Sequence, residues 1–221
     1  MLKYDVKNLI FSSTAAIYGT PVYVPIDEQH PQNPINPYGA SKLMAERVLS
    51  DYSNAYGLKY MALRYFNAAG AHPDRSIGES HRIETHLIPL VLKTLTKEKD
   101  VIHIFGDDYE TPDGTCIRDY IHVCDLATAH RAALEVILSG GESRCINFGT
   151  AVGISVKEII DICEKVTGMK IPIMMANRRQ GDPPSLMASN DCAKTILDFK
   201  PKFDIHDTVK TAWEWEKNKR F

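Results

Sequence analysis

Val6–Thr14 reads VKNLIFSST. Leu9, Ile10 and Phe11 are apolar in succession, the pattern of a strand covered on both faces, as strands of parallel sheets are. The run from Val6 to Phe11 stops at three hydroxyl residues, Ser12, Ser13 and Thr14. Outward from this strand, short apolar runs alternate with amphipathic stretches, which predicts an α/β protein with a mostly parallel sheet. Pro37 to Tyr56 reads as a helix, with Pro37 near its first turn, Leu43, Ala45, Val48 and Leu49 as apolar positions and Gly57 as its stop. Further strands are expected at Tyr60 to Phe66, ending at Asn67, and around Val101 to Phe105, Arg144 to Phe148 and Ile171 to Met175. Helices are expected around Leu87 to Thr96, from Asp125 as a cap through Leu138, from a Ser155/Glu158 capping box to Gly168, and over Thr208 to Lys217 with Trp213 inward.

Lysine and arginine number 26 against 28 aspartates and glutamates, a net charge of −2, so no electrostatic footprint for nucleic acid or an anionic membrane surface exists. Apolar runs such as Leu9 to Phe11 and Val136 to Leu138 fall far short of the roughly 18 residues of a membrane helix. Met1 to Asn8 lacks the long apolar stretch and small-residue cleavage site of a secretory signal. Cys116, Cys124, Cys145, Cys163 and Cys192 are odd in number without a C-x-x-C pair, and read as reduced thiols of a cytoplasmic protein. Asp107, Asp108, Glu110 and Asp113 do not match a calcium loop. His81 and His86, five apart, read as poor metal ligands, His122 and His130 as packed or surface side chains, and no metal is expected.

Ligands of open parallel sheets bind beyond the carboxyl ends of the strands, where this sequence places Ser12, Ser13 and Thr14 and, one strand later, Asn67. Tyr38 and Lys42 stand at i and i+4 on one helical face. A phenol is a weak base at neutral pH, but a neighbouring ammonium favours its ionised form. Either feature alone has a plain structural reading, as strand-ending hydroxyls or a chance helical pair. Their conjunction with RYFN at Arg64–Asn67 points to chemistry.

The strings FSSTAAIYG (11–19), PYGASK (37–42), LRYFN (63–67), GAHP (70–73), FGDDY (105–109), DGTCIRDYIHV (113–123) and RRQGD (178–182) run the length of the chain. Together they resemble the UDP-glucose 4-epimerase family of the extended short-chain dehydrogenase/reductases. The resemblance implies NAD as cofactor, a UDP-hexose as substrate, and C4 epimerisation through a 4-keto intermediate. It implies Tyr38 as the acid/base, Lys42 beside it, Thr14 hydrogen-bonded to the same sugar hydroxyl, and Ser12, Ser13, Thr14, Tyr38, Lys42 and Phe66 along the cofactor. Asn67, His86, Leu87, Phe105, Arg118, Arg179 and Asp182 would hold uridine and diphosphate, the two arginines through parallel hydrogen bonds to phosphate oxygens. His86 departs from the Asn of some members. Leu186 stands where some carry a bulky Tyr, which leaves room for an N-acetyl group and extends the expected substrates to UDP-GlcNAc and UDP-GalNAc. Related dehydratases follow the catalytic Thr with Asp and Glu, whereas Ala15 and Ala16 follow Thr14. A homodimer formed through the helix from Tyr38 to Tyr56 is also implied.

None of the 13 glycines forms a G-x-G-x-x-G or G-x-x-G-x-x-G after an N-terminal strand. The resemblance corresponds to the latter two-thirds of the family. The expected fold is therefore a partial Rossmann-like doubly wound parallel sheet, lacking its first βαβαβ half, plus a smaller C-terminal α/β substrate subdomain. Residues 1–70, with segments around 120–150, would belong to the NAD-binding domain, and 71–119 and 151–221 mainly to the UDP-sugar subdomain. One edge of the first strand would be bare, and the chain alone is expected to bind NAD weakly and be inactive. The alternatives are a non-catalytic UDP-sugar-binding or interaction fragment, or another nucleotide-sugar epimerase or dehydratase of the superfamily.

Overall fold

The computed structural model describes residues 1–219. In chain order the first elements are β1 (Asn8–Thr14), α1 (Pro37–Tyr56), β2 (Lys59–Tyr65), β3 (Asn67–Ala69), α2 (Leu87–Leu95), β4 (Ile102–Phe105), β5 (Ile117–His122) and α3 (Val123–Leu138). There follow β6 (Arg144–Phe148), β7 (Gly153–Ser155), α4 (Val156–Thr167), β8 (Ile173–Ala176), β9 (Ser185–Leu186), α5 (Asp191–Leu197) and α6 (Ile205–Asn218).

A parallel sheet ordered β1-β2-β6 receives α3 and α5, and its core is built from Met61, Leu63, Ile146 and Phe148 with Ala129, Ala133, Ala193 and Leu197. β1 is its edge strand. A second group of strands, β3-β5-β7 with β9 beside β5, and the pair β4-β8 enclose another core, where α2, α4 and α6 pack through Val91, Leu92, Ile159, Cys163 and Val209. α5 belongs to the first core although it lies within the stretch expected mainly in the substrate subdomain. No described helix is long and apolar enough to cross a membrane.

β1 starts later than its apolar run and continues through the three hydroxyl residues, because Ser12, Ser13 and Thr14 stay in register with Leu63, Arg64 and Tyr65. α1 has the expected bounds: Asn36 accepts the Gly39 N–H at 2.8 Å, and Gly57 closes the helix at φ +69°, where a residue without Cβ is unstrained. The Ser155/Glu158 capping box and the Gly168 stop of α4 are as expected. Asp125 does not cap α3. That helix begins two residues earlier, with the His122 ring accepting the Cys124 N–H, and the Asp125 carboxylate instead accepts the N–H groups of Lys202 and Phe203. In α6 the fully inward ring is Trp215, whose indole N–H donates to the Glu79 carbonyl at 2.8 Å, while Trp213 is only partly buried.

Candidate active site

Thr14, at the end of β1, is buried and its Oγ1 accepts the Ala16 N–H at 3.1 Å, turning the chain sharply away from the sheet. Against this turn sits the first turn of α1, and Gly39 is what lets it come so close: a Cβ there would stand 2.3 Å from the Ala16 carbonyl oxygen. Tyr38 is therefore held beside Thr14 with its side chain still open to solvent. Lys42 follows one turn on, its Nζ donating to the Ser12 carbonyl at 2.9 Å and lying 5.8 Å from the centre of the Tyr38 ring. An ammonium has three N–H donors, so two remain for a ligand. Ser12 and Ser13 spend their hydroxyls inward, on His130 Nε2 at 3.1 Å and on Glu46 Oε1 at 2.5 Å.

Glu46, four residues beyond Lys42, is the centre of a buried polar network. Arg64 from β2 grips it with Nη2 to Oε2 at 2.6 Å and Nε to Oε1 at 3.0 Å, then donates from Nη1 to the Tyr18 hydroxyl at 2.9 Å. Tyr18 donates onward to Asn147 Oδ1 at 2.6 Å. Burial pushes the Tyr18 phenol up to about 12, the nearby Arg64 charge pulling the other way, so it remains a donor. A buried polar group is tolerated when hydrogen-bonded, and here the bonds tie α1 to β1, β2 and β6.

Two adjoining clefts, each of about 260 Å³, open beside the ends of β1 and β2. Thr14, Tyr38 and Phe66 line one; Phe105, Arg118, Arg179 and Asp182 line the other; Asn67, His86, Leu87 and Tyr120 belong to both. The Arg179 guanidinium lies 3.9 Å from the centre of the Phe105 ring, a cation–π contact that presents a flat charged surface. Arg118 uses Nη1 on the carbonyls of Ile117 and Pro183 at 2.8 and 2.9 Å, and its Nη2 faces Asp182 at 3.5 Å. Leu186 lines neither cleft: it lies opposite Arg118 in the β5–β9 pair and packs with Phe66 on the small core of Ala15, Ile17 and Leu43. His86 pairs through Nδ1 with Glu79, and that hydrogen bond raises its pKa above the ordinary imidazole value.

The groove thus combines a phenol, a hydroxyl and an ammonium suited to moving a proton at a sugar hydroxyl with guanidinium groups suited to phosphate. The sequence reading missed Gly39, Glu46 with Arg64, and Tyr120. For Gly39 a signal existed, since a glycine inside a helix costs about 1 kcal/mol against alanine and asks for a packing reason. Glu46 had only its place one turn after Lys42. His81 and His86, poor metal ligands by sequence spacing, are met in the fold by the carboxylates of Glu79 and Glu84.

A parallel sheet with this Tyr–Lys helix seated on its carboxyl end defines a Rossmann-like protein of the short-chain dehydrogenase/reductase type. Residues 1–149 match the model of the NAD dependent epimerase/dehydratase family, and the chain belongs to that family. A UDP-glucose 4-epimerase of Halalkalibacterium halodurans is 53% identical over 218 residues, 98% of this chain and 65% of that protein. The chain therefore spans just under two-thirds of that relative. The UDP-glucose 4-epimerase of Brucella ovis, solved in complex with NAD, superposes with a TM-score of 0.92 at 50% identity, over 94% of this chain and 64% of that one. The UDP-Glc/GlcNAc 4-epimerase of Campylobacter jejuni superposes at 0.82 with 44% identity, over 98% of this chain and 66% of that one.

Proposed function

We propose that this chain carries the sugar-nucleotide side of an NAD-dependent C4 epimerase of UDP-hexoses. The observation that carries this reading is the shared wall of the two clefts, which sets the Tyr38–Thr14 pair and the Arg118–Arg179 pair along one groove. A ligand with a hydroxylated ring at one end and a diphosphate in its middle matches that order of groups. Tyr38 takes the proton of the sugar 4-hydroxyl as that carbon becomes a ketone, and returns it later; Thr14 orients the same hydroxyl. Lys42, with two donors left, holds a cofactor ribose and keeps positive charge beside the phenol. Phe66 forms the wall of the nicotinamide side, and Ser12 and Ser13 shape it by backbone alone, their hydroxyls being turned inward. Bound NAD supplies the hydride acceptor and donor. Arg118 and Arg179 grip the diphosphate, Asn67, His86, Leu87 and Phe105 the nucleotide, and Asp182 a hydroxyl.

The residues present suit the nicotinamide end of the cofactor, but the 221 residues contain no glycine-rich pyrophosphate turn. We therefore assign to this chain alone only weak NAD binding and no turnover, and micromolar NAD binding by calorimetry would contradict that. Leu186, smaller than the Tyr of some family members and packed with Phe66 behind the cleft wall, extends the proposed substrates to UDP-GlcNAc and UDP-GalNAc beside UDP-glucose and UDP-galactose. Exposed Met44, Val48, Tyr52 and Tyr56 on α1 support a homodimer through that helix, and five free cysteines support a reducing, cytoplasmic setting.

Titration of the chain with UDP tests the substrate side: binding is expected, and Arg179→Ala should weaken it by roughly tenfold or more. For turnover, a chimera completes the chain with the part of the Halalkalibacterium relative that it does not cover. This chimera should interconvert UDP-galactose and UDP-glucose, and Tyr38→Phe should lower the rate by about 10²–10⁴-fold. A chimera that binds UDP and NAD yet turns nothing over would favour a non-catalytic binding module.

A further inference from the structure

The segment leading into α2 reads GESHRIETH over Gly78–His86. It folds back on itself so that one donor atom each of Glu79, His81, Glu84 and His86 lies within 4.8 Å of the other three. His81 Nδ1 is 3.0 Å from Glu79 Oε1 and 3.5 Å from Glu84 Oε2. His86 Nδ1 is in contact with the same Glu79 Oε1 and 3.9 Å from Glu84 Oε1. A tetrahedral ion with N and O ligands at about 2.0–2.1 Å places neighbouring donors about 3.3 Å apart. The observed separations straddle that value.

Three further features separate this cluster from a chance surface grouping. The Glu84 side chain is only 4% exposed and that of Glu79 18%, so both charges are largely withdrawn from water. Among the described residues, the only cationic side chains within ion-pair distance of these two carboxylates are the two histidines. The backbone beneath is fixed independently, since Trp215 donates to the Glu79 carbonyl and its ring lies against Gly78, where a Cβ would come within 2.3 Å of it. The backbone that carries Glu79 is thus held in place before any ion arrives. Glu79, His81 and Glu84 also line a surface cleft of about 470 Å³, which provides an entry path.

We propose that Glu79, His81, Glu84 and His86 form a binding site for one divalent transition-metal ion of the Zn²⁺ type, which clamps the segment entering α2. Two imidazoles with two carboxylates favour Zn²⁺ or Co²⁺ over Mg²⁺ or Ca²⁺, which prefer all-oxygen sets. Coordination through Nδ1 leaves Nε2 as the ring N–H of His86, a donor of fixed tautomer at the wall common to both clefts. The site rests on the cluster alone and stands whether or not the chain takes part in epimerisation.

The test is a titration of the untagged 221-residue chain, freed of metal by a chelator, with Co²⁺ followed by visible absorbance and with Zn²⁺ by calorimetry. One ion per chain is expected, with the intense bands of four-coordinate Co²⁺ that Zn²⁺ then abolishes. His81→Asn and Glu84→Gln should each weaken binding by about 100-fold or more, beyond the roughly 10–100-fold that loss of an outer-shell partner costs. His206→Asn, on exposed α6 surface away from the cluster, should bind as the parent does. Circular dichroism of each variant establishes that it is folded. Absence of binding below millimolar concentration, or undiminished binding in folded His81→Asn and Glu84→Gln, would overturn the proposal.

Discussion

Arg64 reaches from the central strand of the first sheet to Glu46 on α1, both side chains 4% exposed and 2.6 Å apart at their closest nitrogen and oxygen. This pair sets how α1 lies across the sheet, and so where Tyr38 and Lys42 stand over the end of β1.

Removing one partner leaves the other charge buried and unpaired, which costs about 3–5 kcal/mol. Glu46→Ala is therefore expected to lower unfolding stability by that amount in urea titrations. A double substitution to apolar residues, Glu46→Leu with Arg64→Met, should recover much of the loss, since pairs of this kind hold position more than they stabilise. A double variant no better than the single one would refute this account.

Gly39→Ala adds a methyl group where the Ala16 carbonyl already stands. The backbone contact cannot yield as a flexible side chain does, so α1 must shift at its first turn. The expected outcome in the completed chimera is a fall in kcat of tenfold or more, since misplacement by about 1 Å costs on the order of 10²-fold. UDP affinity, set by the other cleft, should change little. Wild-type kcat in Gly39→Ala would show that the close approach does not position Tyr38.

His122 is buried, stacked 3.9 Å from Phe203, and caps α3 through its unprotonated Nδ1 while Nε2 meets Thr211 Oγ1 at 3.0 Å. Burial holds its pKa below the ordinary imidazole value, with the Asp125 charge working the other way. The folded state then binds fewer protons than the unfolded one. The stability is fully present above about pH 6.5 and is lost as pH falls from there through the lower folded value. Urea midpoints should drop on acidification, and His122→Asn, which keeps a capping acceptor without a titrating group, should be less stable at neutral pH with a shallower acid slope. An unchanged slope would assign the acid sensitivity to other groups.

Leu186→Tyr fills space next to Arg118 and Phe66. In the chimera it should lower turnover of UDP-GlcNAc by roughly tenfold or more while UDP-glucose changes by a few-fold at most. Equal losses on both sugars would mean that this position packs the small core without choosing the substrate.

The order of strands and helices was largely legible in the sequence because parallel strands are apolar in runs and helix ends are marked: Asn36, Pro37 and Gly57 bound α1, and Ser155, Glu158 and Gly168 bound α4. β5 escaped because the adjacent charges of Arg118 and Asp119 interrupt its apolar residues, and its buried Asp119 accepts from Thr150, Ala151 and Ala188, partners far along the chain. β7 and β9 are too short to carry a pattern. The Tyr38–Lys42 pair was legible from its helical spacing only together with the Ser12–Thr14 strand end and RYFN at Arg64–Asn67. The wall shared by the clefts was not, because Asn67, His86 and Tyr120 come from separate segments whose meeting only the tertiary packing decides.

Phe66 is the one residue between β2, which ends at Tyr65 in the first sheet, and β3, which begins at Asn67 in the second. The passage from β5 into α3, between His122 and Val123, is equally abrupt. At these two crossings, beside the groove itself, the two halves of the molecule are riveted together with no slack length of chain. A ligand lying across the groove there meets two walls that are joined, at this point of the chain, through Phe66 and the His122–Val123 step.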